Sequence, residues 1–158
     1  MVMDVSQVIG SAPVAALLVV PKGFGASAAR SAVGVDPAGA AFLPLVVRAG
    51  ARGRQAPPSG VVFDTPRFGG YGLLALTEKE LVLAAGPRNR VHKVIARMPR
   101  SEIVFAERYG NGFPTTAPLV IAFKNGHGWY FEVQWNRGRA VKKILPLLKA
   151  DQQAALQS

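Results

Sequence analysis

The feature that most constrains this chain is a series of short apolar runs between Tyr71 and Trp135, closed by one two-sided segment. "YGLLALT" (71–77) and "LVLAAG" (81–86) are parted by "EKE". "VHKVIARM" (91–98), "EIVFAERY" (102–109), "PLVIAFK" (118–124) and "WYFEVQW" (129–135) follow at regular spacing. The intervening "PRS", "GNGFPTTA" and "NGHG" are turn chemistry, and Asn125-Gly126 suits a tight hairpin with a positive φ. Runs bounded in this way read as antiparallel strands. Six are expected, with a seventh at "GVVFD" (60–64).

Along "WYFEVQW" the two-residue period of a strand puts Trp129, Phe131, Val133 and Trp135 on one face, and Tyr130, Glu132 and Gln134 on the other. Leu119, Ile121 and Phe123 supply a matching apolar face across the turn. The rings are therefore expected in a core. A base-stacking platform would need them on the solvent face among cations. Beyond Asn136, an N-cap candidate, a helix is expected. At about 100° per residue Ala140, Val141, Ile144, Leu145 and Leu148 share one arc, with Arg139, Lys142, Lys143 and Lys149 opposite. Pro146 lies inside this helix and removes one of its hydrogen bonds, so a kink or local break is expected there.

Such a meander followed by one amphipathic helix closes economically as a partly open barrel or sandwich, with the helix over its open end. The pattern "GLLALTEKELVL … IARMPRSEIVFAE … LVIAFKNGHGWYFEV" resembles the pleckstrin-homology-like superfold over residues 60–150, especially its small bacterial and GRAM-type members. The expected fold class is thus mainly β (β+α). It is a PH-like partly open barrel or sandwich of six to seven antiparallel strands capped by a C-terminal amphipathic helix. The resemblance implies a binding role, since domains of this kind often bind phosphoinositides or acidic membranes at loops on one barrel end, and many others bind peptides.

Residues 1–59 read as a different material: an Ala/Gly-rich appendage without Tyr or Trp, ending in the linker "RGRQAPPSG" (52–60). Its two apolar runs, "APVAALLVV" (12–20) and "AGAAFLPLVVRAG" (38–50), are each too short to span a bilayer. A signal peptide fits poorly, because Asp4 stands where positive charge belongs and Lys22 follows the apolar run. Short helices or an extended segment packed against protein are expected instead, so the appendage could join the chain to a larger assembly or to a second copy. Gly23 to Ala28 forms a G-x-G-x-x-A string, but Pro21 and Lys22 intervene and the next acid, Asp36, comes too early for a dinucleotide site. The expected division is 1–59 appendage, 60–150 PH-like domain and 151–158 tail.

Reaction chemistry is not visible. With no cysteine there is no thiolate, disulfide or Cys-ligated metal, and a reducing, cytoplasmic setting is favoured. His92 and His127 have no metal-ligand spacing, and His127 reads as a solvated turn residue. Glu78, Glu80, Glu102, Glu107 and Glu132 lie scattered on turns and strand surfaces. No enzyme activity, metal or cofactor is therefore expected.

Charge is the functional signal. The chain carries net +10, with five basic against two acidic residues in 1–60 and fourteen against seven in 61–158. Acidic lipid or acidic protein is the expected partner, and nucleic acid or the ribosome the alternative. In a meander successive turns alternate between two ends. One end would gather Arg67, Arg88, Arg90, Arg108, Arg137 and Arg139 around Phe113, a set suited to bidentate phosphate contacts and shallow apolar insertion at a membrane.

Overall fold

The computed structural model describes residues 5–19, 58, 60–66, 68, 72–85, 93–108, 116–134 and 138–157. In chain order these form α1 (Val5–Ile9), β1 (Ala15–Val19), β2 (Val62–Phe63), β3 (Gly72–Leu76), β4 (Glu80–Ala85) and β5 (Lys93–Pro99). A single 3₁₀ turn (Arg100–Glu102) leads into β6 (Ile103–Arg108), β7 (Thr116–Phe123), β8 (His127–Gln134) and α2 (Gly138–Gln157). The strands make two four-stranded sheets, ordered β1-β3-β4-β5 and β2-β8-β7-β6. Among the described residues the sheets do not close into a barrel. The fold is mainly β with a C-terminal helix.

The six central runs form strands close to their expected bounds, because alternation and turn chemistry agree along them. At the β7–β8 turn Gly126 has φ +86, its N–H reaches the Phe123 carbonyl at 3.1 Å, and the Asn125 side chain accepts from the His127 N–H. At the β3–β4 turn the Thr77 hydroxyl accepts from the Lys79 and Glu80 N–H groups at 3.3 and 3.0 Å. Its own N–H reaches the Glu80 carbonyl. Side-chain oxygens thus fix both registers.

Two of the strands add to or depart from expectation. The apolar run at 12–20, expected as a short helix or an extended packing segment, supplies strand β1, which pairs antiparallel with β3 from Ala15↔Leu76 to Val19↔Gly72. Ala15, Leu17 and Val19 are buried with a period of two. A short run without polar residues carries no helical phase, and the open edge of β3 decides its conformation. Residues 15–19 therefore share a sheet with β3, β4 and β5, across the line drawn by composition at 59 and 60. The seventh strand is only the two residues of β2, and it pairs parallel to β8, not antiparallel (Val62↔His127, Phe63↔Gly128).

The core lies between the sheets and under α2. It joins Leu17, Leu74, Leu76, Leu81 and Leu83 of the first sheet to Ile103, Leu119, Ile121, Phe123, Trp129, Phe131 and Val133 of the second. Val141, Ile144 and Leu148 of α2 complete it, and Leu145 is half-buried beside them. The Phe123 and Trp129 rings meet edge-on at 4.9 Å, and Trp129 meets Phe131 at 6.2 Å. The inward placement of Trp129, Phe131 and Val133 is as expected; Trp135 lies outside the described residues.

The outer faces are covered too. α1 lays Ile9 on Ala75 and Val82 of the first sheet, and Arg97 donates to the Ile9 carbonyl at 2.6 Å while pairing with Glu80 at 2.9 Å. On the second sheet Tyr130, expected outward, is buried, and its N–H and C=O are both held by the Thr65 hydroxyl at 2.8 and 3.3 Å. Phe63 and Val61 sit so close to Gly128 that a Cβ there would meet each at 2.9 Å.

α2 continues through Pro146 to Gln157, so residues 151–157, drawn as a tail, are helical. Polar contacts hold this half down. The Gln152 side chain accepts the Ala106 N–H at 3.1 Å, Lys149 pairs with Glu107 at 2.8 Å, and Asp151 takes Arg100 through both carboxylate oxygens. β6 is the outer strand of its sheet, and Gln152 satisfies one of its N–H groups with a side chain.

Candidate functional site

The registers give the molecule two ends. At one end stand the turns 77–80, 99–103 and 123–127, with the last turns of α2. Arg100 is their hub. Its N–H reaches the Lys79 carbonyl at 2.9 Å, its guanidinium reaches the Thr77 carbonyl at 3.1 Å, and Nε and Nη2 bind Asp151 at 3.0 and 3.2 Å. The Lys124 N–H reaches the Glu102 carbonyl at 2.8 Å, drawing in the third turn. These bonds wall a cleft of about 430 Å³. Glu78, Ser101 and Lys124 line it beside the Arg100–Asp151 pair, with Ala154 and Ala155 as an apolar side.

The other end holds the last residue of β6, Arg108, and the start of α2 with Arg139. Arg139 is about 18 Å along the helix from Asp151 at 1.5 Å per residue. Arg108 is half-buried and Arg139 exposed. These two of the seven expected site residues belong to the described structure; Arg67, Arg88, Arg90, Phe113 and Arg137 lie outside the described residues. His92 and the Gly23–Ala28 string lie outside them as well.

The sequence understated α2 itself. Arg139, Lys142 and Lys143 are all exposed and fall within about 100° of one another around the axis. No acidic residue occupies the first turn of the helix, and Asp151 is the only one along its length. Basic residues at the amino end of a helix add to the positive pole of its dipole. The spacing i, i+3, i+4 is legible in the sequence, where Arg139 belongs to the expected basic end and Lys142 and Lys143 only to the solvent side of the helix.

Acidic groups, in contrast, are largely engaged. Glu80, Glu107, Asp151 and Asp64 pair with Arg97, Lys149, Arg100 and His127. Glu107, expected on a strand surface, is buried at 2% exposure because α2 lies over it. His127, expected simply solvated, is exposed at the start of β8 and holds Asp64 through Nδ1 at 2.8 Å. Among the described residues no three His or carboxylate side chains converge as a metal site. No described helix is long and apolar enough to cross a membrane. No family model matches the chain, and neither a curated protein nor a solved structure matches it.

The cleft is not legible in the sequence, for a definable reason. Glu78 and Lys124 stand in turns read as punctuation, and Asp151 stood beyond the expected end of the helix.

Proposed function

We propose that this chain is a non-enzymatic, PH-like binding module that docks onto an anionic membrane surface with the amino-terminal half of α2. The observation that carries this reading is the exposed, acid-free arc of Arg139, Lys142 and Lys143 on a helix whose other side is locked into the core. A rigid mount keeps three cations facing one way, so little order is lost on contact with a flat charged layer. The helix dipole reinforces their field. Two four-stranded sheets with a C-terminal helix across them suit the PH-like comparison, and the net charge of +10 favours an anionic partner of either lipid or protein chemistry. By the alternation of turns along the sequence, Arg67, Arg88, Arg90, Arg108 and Arg137 would extend the same surface, with Phe113 as its apolar contact.

Sedimentation with vesicles of phosphatidylcholine alone and with added phosphatidylserine tests this, beside a gel shift with RNA. Binding to the acidic vesicles only, falling as the Debye length shrinks below about 10 Å above 0.1 M salt, is the expected result. Retardation of RNA without vesicle binding would replace the membrane by nucleic acid.

A further inference from the structure

The cleft at the opposite end of the fold has a charge arrangement that the membrane reading leaves unused. Glu78 and Lys124 are both exposed and line the same space of about 430 Å³, yet neither has an ion-pair partner among the described residues. Opposite charges that share one cleft without meeting leave a separation for a ligand to bridge. The space falls within the range of small-molecule sites, about 300–1,000 Å³.

From this arrangement we propose that the cleft binds a small zwitterion, a free amino acid or a short peptide with both termini unblocked. The polarity follows from the surroundings. Ala154 and Ala155 belong to the last turns of α2, the negative end of the helix dipole, which favours an ammonium group at that wall. Glu78 adds a full negative charge for the same group, and Lys124, with the Ser101 hydroxyl, takes the carboxylate. The Arg100–Asp151 pair is mutually neutralised and half-sheltered, with side chains 21% and 16% exposed, so it serves as the fixed floor of the cleft. Arg100 also holds two carbonyls of the neighbouring turn, which preorganises the walls.

This inference is independent of the membrane reading and is tested without lipid. Alanyl-alanine is titrated into the full chain while backbone amide shifts are followed by NMR. N-acetylated and C-amidated forms of the same dipeptide are the controls. Saturable shifts at Glu78, Ser101, Lys124 and Ala154 are expected, with either blocked form binding about tenfold more weakly through loss of one charge-assisted contact. Glu78→Gln and Lys124→Gln lie on exposed turns, so they leave the fold intact. Each is expected to weaken alanyl-alanine about tenfold while no longer distinguishing the form blocked at its own end. Absence of saturable shifts, shifts elsewhere in the chain, or equal binding of blocked and free dipeptides would overturn the proposal.

Discussion

At Tyr130 one threonine does the work of a strand. The Thr65 hydroxyl accepts from the Tyr130 N–H and donates to its carbonyl, so two edge groups of β8 are satisfied where β2 has already ended. Thr65→Val keeps the shape and removes both bonds, and an unfolding titration should show a loss of about 1–3 kcal/mol. Gly128→Ala should be destabilising by a similar amount, since its Cβ would meet the Ile121 carbonyl as well as Phe63 at 2.9 Å, and backbone cannot step aside. Phe131→Ala should cost about 3–5 kcal/mol, enough to remove much of the stability of a domain this size. That last site could be read directly from alternation. Thr65 and Glu107 could not, because their partners lie 65 and 42 residues away and no local rule joins them.

Among the elements, the strands between residues 72 and 134 were legible because period, β propensity and turn residues all agreed. β1 was not, because a short wholly apolar run has the same pattern in either conformation. Its role as the outer strand of the first sheet makes Leu17→Ala a core change, with an expected cost of about 2–5 kcal/mol by denaturant unfolding. A surface appendage would show under about 0.5 kcal/mol. The apolar side of α2 was equally plain, but its length was not. Its second half is held by Gln152, Asp151 and Lys149, each bonded to a residue of the sheet region. Lys149→Met removes the Lys149 ion pair from the buried Glu107 carboxylate, and the melting temperature should fall by an amount equivalent to about 1–3 kcal/mol.

On the scale of the whole molecule, charge is distributed by job. Acids in the described structure mostly serve internal pairs, while Arg139, Lys142 and Lys143 face outward from a helix fixed to the core. Alternation of turns places Arg139 in one basic end, and the helix adds Lys142 and Lys143, which helical period puts on its solvent side. The arrangement is costly for the helix, since the positive pole of its dipole repels cations at its amino end. Reversing them should therefore leave the fold at least as stable while removing the attraction to an anionic leaflet. The decisive measurement is the partition of Arg139→Glu/Lys142→Glu/Lys143→Glu between buffer and phosphatidylserine-containing vesicles, beside its melting temperature. At about 1 kcal/mol per basic residue, the account predicts affinity lower by more than about a hundredfold with an unchanged or raised melting temperature. A triple variant that keeps its melting temperature and binds the vesicles as tightly as the parent would contradict it.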